Sequence, residues 1–389
     1  MIISKACDNK LVIGIDGNEA NVDKRVGVNE YAFQLLWNLK KLQETGENPH
    51  NLIVYLKEAP LPDLPKETQM FKYKIIRGGG MWILTKLMPY LLFNPDKLNV
   101  LFSPSHYTVP FSHIPRVSSI MDLGYLDFSA QFTKKVFWQL KWWSAMSIFV
   151  SKYIISISES TKKDIVRHYP FSRQKVKVTY LGYDAKRFNY NISSRDVRRV
   201  KNKYSIVGDY ILYLGTLKPS KNVEGLIDAY AMINAKKINA KLVIAGKRGW
   251  LYENIYKKVL EMGLKDKVVF TDYLPDEDRA PLMKGAKVYV QPSFWEGFGI
   301  EVVNAMACGV PVVVSKVGSL PEVVGKAGLL VNPNDINDIA NGLLKILLSD
   351  KIGYNKLVEA GLIQTKKFSW VKTARETLKI LEYAGQRRK

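Results

Sequence analysis

The chain is 389 residues long, with 47% hydrophobic and 24% charged residues, so it is globular in composition and too long for one ordinary core, and two domains are expected. A formal charge of +22 suits nucleic acid, an anionic membrane face or a phosphorylated small molecule, although dispersed lysine also serves solubility; no zinc-finger, basic-heptad or RNP-type pattern supports the first of these partners. The two cysteines, Cys7 and Cys308, stand far apart in unlike contexts, which excludes a disulfide framework or a cysteine zinc site and fits a reducing compartment.

Met1 to Ala6 runs into the polar Cys7-Asp8-Asn9-Lys10 without a signal-peptide pattern, and no apolar run is long enough to span a bilayer, so a cytoplasmic protein, soluble or peripheral, is expected. Residues 11–16 form an apolar run fit for a central parallel strand, and 17–21 are loop chemistry. Gly27-Val28-Asn29-Glu30-Tyr31 then leads into a helix with Tyr31, Leu35, Leu36 and Leu39 on one face. Strand, glycine loop and helix is a phosphate-binding geometry, and Gly27 is equally an ordinary turn glycine. Residues 51–56 and 72–76 read as strands, and Gly78-Gly79-Gly80 precedes an apolar, exposed segment over 81–93. A strand at 99–103 ends at Pro104-Ser105-His106-Tyr107, placing His106 at a strand's C-terminal edge, either as a loop-packed histidine or as a ligand-side group. The strand at 117–121 ends at Asp122-Leu123-Gly124.

Residues 132–151, FTKKVFWQLKWWSAMSIFVS, set Lys134, Lys135 and Lys141 among Phe137, Trp138, Trp142 and Trp143. Such a helix suits an anionic membrane interface, and it equally suits tryptophans packed inward on a sheet. A strand at 153–158 meets the capping run Ser158-Glu159-Ser160-Thr161, which opens a helix. The stretch 195–203, RDVRRVKNK, reads as a solvated charged face in the linker.

The second half opens with a strand at 210–214, followed by Gly215-Thr216-Leu217-Lys218-Pro219-Ser220-Lys221-Asn222 and a helix through Leu226 and Tyr230. A lysine at a glycine turn beside a helix N-terminus is well placed for a diphosphate. Strands at 241–246 and 267–270 precede loops carrying Arg248 and Leu274; Asp276 and Asp278 read as helix-start carboxylates, not as a metal pair. The strand 286–291 ends at Pro292-Ser293, and Gly297-Phe298-Gly299 opens a helix that Gly309 and Pro311 stop. Amides of that first turn, at Gly299 and Ile300, favour an anion, with Glu296 over the same place and Asn304 leaning back toward it. An amphipathic segment follows Phe368.

At Glu296-Gly297-Phe298-Gly299-Ile300-Glu301-Val302-Val303-Asn304-Ala305-Met306-Ala307-Cys308-Gly309-Val310-Pro311 the chain resembles the family 4 retaining glycosyltransferases of the GT-B fold, the mannosyltransferase-like glycosyl transferases of group 1, whose signature is two glutamates separated by seven residues. The resemblance implies that Glu296 lies by the donor hexose and that Asn304, standing where the family has its second glutamate, binds the ribose. Residues 215–222 resemble the family's GTLxPRKN segment, which implies that Lys221 holds the donor phosphates and stabilises the leaving group. Ser220 stands where the family's arginine would be, with Lys218 or Arg248 as candidates for the missing charge. The segments 158–165 and 182–184 resemble the family's SE-x-T-x-x-D-I and NGVD runs. Met121 replaces a histidine that contacts the hexose in many relatives.

The resemblance therefore implies catalytic roles for Glu296, Lys221 and Asp122. The donor site would comprise Gly27, Gly215, Lys221, Arg248, Leu274, Glu296, Phe298, Gly299, Ile300 and Asn304, with His106 and Met121 toward the acceptor and no metal or other cofactor. The fold class is α/β, with two doubly wound Rossmann-like domains facing an inter-domain cleft: 1–200, then 205–368, and a C-terminal helix at 369–389 returned to the first domain. The implied activity is metal-independent, retaining transfer of a mannose- or glucose-type hexose from a nucleotide sugar to a glycan or lipid-linked hydroxyl, by a front-face substitution. The implied place is cytoplasmic, peripheral on an anionic inner membrane face through 132–151. Met121, Ser220 and Asn304 motivate a rival reading, a drifted GT-B protein that binds nucleotide sugar or glycan without transfer.

Overall fold

The computed structural model describes residues 10–129 and 132–386; Cys7 and the reading of the amino-terminal residues before Lys10 lie outside the described residues, as does the end of the 369–389 helix beyond Gln386. The chain divides into two compact units, one running to Gly182 and resuming at Ser369, the other Tyr183–Phe368.

The first unit holds a seven-stranded parallel sheet of β1 (Val12–Asp16), β2 (Asn51–Leu56), β3 (Phe71–Ile75), β4 (Val100–Ser103), β5 (Arg116–Ile120), β6 (Tyr153–Ser156) and β7 (Val176–Val178), in the order β3-β2-β1-β4-β5-β6-β7. The second holds a six-stranded parallel sheet of β8 (Asp209–Leu214), β9 (Ala240–Ala245), β10 (Val268–Asp272), β11 (Val288–Gln291), β12 (Val312–Ser315) and β13 (Gly328–Val331), in the order β10-β9-β8-β11-β12-β13. The expected architecture of two doubly wound, Rossmann-like domains is borne out. The strand order reverses between β1 and β4 and between β8 and β11, and at such a reversal the loops beyond the strand ends diverge to opposite faces and leave a crevice for a ligand.

Helices cover both faces, so the central strands are apolar on both sides: Val312, Val313 and Val314 of β12 are all buried. Helix Val28–Glu44 presents Tyr31, Leu35, Leu36 and Leu39 to the first sheet, where the C-terminal helix Trp370–Gly385 adds Ala374, Leu378 and Leu381 to the same cluster. That C-terminal helix is fastened along its length. Thr373 Oγ1 donates to Tyr180 O at 2.6 Å, His50 Nε2 meets Glu382 Oε1 at 2.9 Å and Lys152 Nζ donates to Ala384 O at 2.9 Å. The entry is tight: a Cβ on Gly182 would lie 2.0 Å from Trp370 N.

Two expectations are corrected. Residues 183–204, assigned by sequence to the first domain and its linker, group with the second unit. Ser194–Lys203 keeps the solvated charged face read from the sequence, and it joins the second unit because Val200 is buried and Arg199 at 2.8 Å, Lys203 at 2.6 Å and the Tyr204 hydroxyl at 2.9 Å bond to the buried carboxylate of Asp278. The 81–93 segment is only partly exposed, since Trp82, Leu87 and Leu91 pack with Tyr55, Leu98 and Leu101 while Met81, Leu92 and Phe93 face outward. Helix Lys134–Val150 packs some of its aromatic side chains and exposes others. Phe137 sits edge-on to Tyr125 and Trp143 edge-on to Tyr107, whereas Trp138, Trp142 (68% exposed) and Phe149 point out.

Candidate functional site

In the second domain the site is built at the β8–β11 reversal. Beyond β8 the chain passes Gly215, which lies so close to Gly246 that a Cβ on the latter would stand 2.0 Å from Gly215 O. The turn closes at Asn222, in the left-handed region at φ 53°, and Asn222 opens helix Val223–Ala235. Its side-chain amide donates to Pro292 O at 3.1 Å and Pro333 O at 2.7 Å, and Phe294 N donates to Ser220 O at 2.9 Å. These bonds tie the lysine turn to the loop after β11, so Lys221 Nζ meets Glu296 Oε1 across 75 residues of sequence.

Glu296 is only 9% exposed. Its Oε1 also accepts from Gln291 Nε2 and, at 3.2 Å, from Ser293 Oγ. Tyr289 OH donates to Gln291 Oε1 at 2.7 Å, which turns the Gln291 amide nitrogen toward the carboxylate. The Glu296 backbone carbonyl accepts from Ser319 N at 3.2 Å and Ser319 Oγ at 3.1 Å, and Gly318 passes so near that a Cβ there would lie 2.6 Å from it. A carboxylate and an ammonium held this firmly, with no hydrogen bond to Oε2 among the described residues, can exchange partners with a polyhydroxylated anion.

Gly299, at φ 87°, opens helix Ile300–Ala307. Phe298 is buried edge-on against Phe368 at 5.5 Å, and Leu274 is buried in the loop after β10. Asn304 is buried too, but it is not bonded to Glu296: its Nδ2 donates to Glu301 Oε2 at 3.1 Å, and Arg279 holds the other Glu301 oxygen. Asn304 Oδ1 is buried with no hydrogen-bond partner among the described residues. Arg248 is already committed. Its Nε and NH2 grip Asp272 at 2.9 and 3.0 Å, where the Tyr256 hydroxyl adds a bond at 2.6 Å. Lys218 lies over the Trp250 ring at 5.1 Å.

The other candidates belong to the first domain. Gly27 takes φ 55° at the start of helix Val28–Glu44, a conformation that disfavours any side chain. Asp122 Oδ1 accepts from Gly124 N at 3.0 Å, and Met121 packs beside the main cluster while its carbonyl accepts from Thr161 Oγ1 at 3.2 Å. His106 is partly buried, its Nε2 is shielded with no partner among the described residues, and burial lowers its pKa to about 4, so the ring is neutral near pH 7. Its neighbour Tyr107, with Asp16, Glu19 and Trp143, lines a cavity of about 510 Å³ beyond the ends of β1 and β4.

Sequence reasoning found Lys221 and Glu296 but missed the groups that hold them. Gln291 carries the usable signal, a polar residue at the end of the otherwise apolar strand Val288–Gln291. Ser293, Ser319 and the Arg279–Glu301 pair carry none. Among the described residues no three His, Cys, Asp or Glu side chains gather as a metal-binding group.

Comparison with known proteins agrees with this construction. Residues 196–362 match the family of glycosyl transferases group 1. O-antigen chain mannosyltransferase B of Escherichia coli is 35% identical over 236 residues, 60% of this chain and 61% of that protein. A serotype-specific mannosyltransferase, WbdA, of Escherichia coli is 32% identical over 224 residues, 57% of this chain and 27% of that protein. The match thus spans about three fifths of the first relative and about a quarter of the second. Among solved structures, sucrose-phosphate synthase from Thermosynechococcus elongatus superposes with a TM-score of 0.72 at 20% identity, covering 96% of this chain and 99% of that one. Anabaena HepE, solved with UDP and glucose, gives a TM-score of 0.70 at 16% identity, covering 96% and 100%. The fold is GT-B, and both stretches at which the resemblance was read, 215–222 and 296–311, fall inside the match to glycosyl transferases group 1. The chain carries a glycosyl transferases group 1 domain at residues 196–362.

Proposed function

We propose that the chain is a retaining glycosyltransferase that moves a hexose, of the mannose or glucose type, from a nucleotide sugar to a hydroxyl of a glycan or lipid-linked acceptor. The observation that carries the reading is the Lys221–Glu296 pair at the β8–β11 reversal, inside a domain of this family. The mannosyltransferase relatives favour mannose, and the UDP complex of HepE favours a nucleotide-linked donor.

In this reading the donor diphosphate draws the Lys221 ammonium away from Glu296, and the freed carboxylate accepts from hexose hydroxyls. The bond between the anomeric carbon and the phosphate oxygen breaks, and its electron pair stays on the phosphate, steadied by Lys221 and by the amides at Gly299 and Ile300. The acceptor oxygen bonds to the anomeric carbon from the face the phosphate leaves, and its proton passes to that phosphate. Positive charge from the chain does the work that a bound metal would otherwise do. Asn304 Oδ1 would accept from a ribose hydroxyl. Asp122, Gly27, Met121 and His106 enter only as first-domain candidates.

Among the described residues no helix is long and apolar enough to cross a membrane. The outward Trp138, Trp142 and Phe149, with Lys134, Lys135 and Lys141 on the same helix, suit peripheral attachment to an anionic face, which fits a cytoplasmic enzyme with a lipid-linked acceptor.

The test is calorimetry with UDP-, GDP- and ADP-sugars on the full chain, paired with product analysis on glycan and lipid extracts. Binding and transfer by the wild-type chain, with transfer abolished in Lys221→Ala, is the expected result. Binding of a donor without hydrolysis or transfer would establish a binding protein instead.

A further inference from the structure

The cavity beyond β1 and β4 in the first domain has a character unlike the rest of the molecule. On a chain of formal charge +22, it is lined by three carboxylates, Asp16, Glu19 and Glu58, against one lysine, Lys57. Its volume of about 510 Å³ falls within the range of small-molecule sites, about 300–1,000 Å³. Tyr107 and Trp143 line it as well, held edge to face at 5.3 Å, with Gln139 Nε2 donating to the Tyr107 hydroxyl at 3.3 Å. Gly78-Gly79-Gly80 forms another part of the wall, and a Cβ on Gly79 or Gly80 would meet nothing within 4 Å.

The carboxylates are only half used. Asp16 is 5% exposed, and both of its bonds, from Asn18 N at 3.1 Å and Asn18 Nδ2 at 2.8 Å, go to Oδ1. Glu19 accepts from Asn29 Nδ2 at 2.7 Å through Oε2. Among the described residues none donates a hydrogen bond to Asp16 Oδ2 or Glu19 Oε1, so acceptor-only oxygens line a partly aromatic hollow. Such a lining is suited to a molecule with many O–H donors and an apolar C–H face, that is, a pyranose. It opposes an anion. Burial raises the pKa of Asp16, and burial followed by the charge of Asp16 raises that of Glu19, so the pair already resists further negative charge.

We infer that this cavity is the acceptor subsite and that it takes an uncharged saccharide end and rejects a phosphorylated one, by like-charge repulsion from Asp16, Glu19 and Glu58. The inference rests on the glycosyltransferase reading above and adds the class of acceptor to it. It sets this chain apart from enzymes whose acceptor is a sugar phosphate. The residues that do the sorting are Glu19, which lines the hollow, and Trp143, whose ring supplies the apolar platform.

The experiment is saturation-transfer NMR and calorimetry on the full chain with methyl α-mannobioside, mannose 6-phosphate and glucosamine, with GDP and UDP titrated separately. The neutral bioside is expected to bind at least about tenfold tighter than the phosphate. Trp143→Ala should weaken the bioside about tenfold, Trp37→Ala should leave it unchanged, and Glu19→Gln, which keeps a carbonyl for Asn29, should narrow the preference over mannose 6-phosphate. Equal or tighter binding of mannose 6-phosphate, preference for glucosamine over the bioside, or no saccharide binding at all overturns the inference. Nucleotide binding that persists in that case leaves the glycosyltransferase reading standing, whereas loss of both would end both.

Discussion

Replacing Lys221 by methionine tests whether its ammonium serves the fold or a ligand. The Lys221 and Glu296 side chains are 17% and 11% exposed, so the pair lies deeper than the surface bridges worth about 0–1 kcal/mol. Glu296 keeps Gln291 and Ser293 as donors, so losing its charged partner should cost about 1.5–3 kcal/mol, short of the roughly 3–5 of a stranded buried charge. Adding Glu296→Gln removes the stranded charge and should recover most of that stability. Affinity for a nucleoside diphosphate should behave differently. One charge-assisted hydrogen bond lost from a phosphate is about 1.5–3 kcal/mol, or about ten- to hundredfold in Kd, and the second substitution should not restore it. Glu296→Gln alone should bind GDP or UDP at least as well as wild type, because the ammonium is no longer shared. Thermal melting and calorimetry on the four proteins separate the two effects. Wild-type affinity in Lys221→Met, or affinity regained together with stability in the double variant, would refute the reasoning.

Gly182→Ala should unfold the seat of the C-terminal helix, since the new Cβ would lie 2.0 Å from Trp370 N; a loss of about 3 kcal/mol, or failure to express, is expected from such overpacking, read by denaturant titration. The partly buried His106 has a pKa lowered from 6.5 to about 4, so its contribution is full above pH 6.5 and is lost as pH falls toward 4, because only the unfolded chain takes up the proton in that window. His106→Phe should therefore flatten the melting temperature of the first domain between pH 6.5 and about 4, and an unchanged profile would count against that cause. Trp142→Ala with Trp138→Ala should abolish sedimentation with anionic liposomes at low salt, and wild-type binding should fall as salt rises; binding that survives both substitutions would remove that helix from the interface.

Much of the architecture was legible because it is written locally. The apolar runs at β1, β8 and β12 reveal strands buried on both faces, and Gly297-Phe298-Gly299 reveals the strand-to-helix turn, since the conformation at Gly299 depends on its own missing side chain. The RDVRRVKNK stretch is the solvated face it reads as, but its place in the second unit was not legible for the complementary reason, since Asp278, which bonds Arg199 and Lys203, lies on another helix. Arg248 was likewise a free charge on paper, and Asp272 claims it in the fold.

The sequence alone therefore determined the two sheets, the glycine turns at their ends and Lys221 and Glu296 as separate candidate residues at two of those turns, because propensity, capping and turn chemistry act within a few residues. Which side chains meet was decided only by tertiary structure. Strand order sets β8 beside β11 with β9 and β10 passed over, and that jump brings Lys221 to Glu296, while in the first sheet β1 beside β4 opens the acidic hollow, neither of which any local pattern encodes.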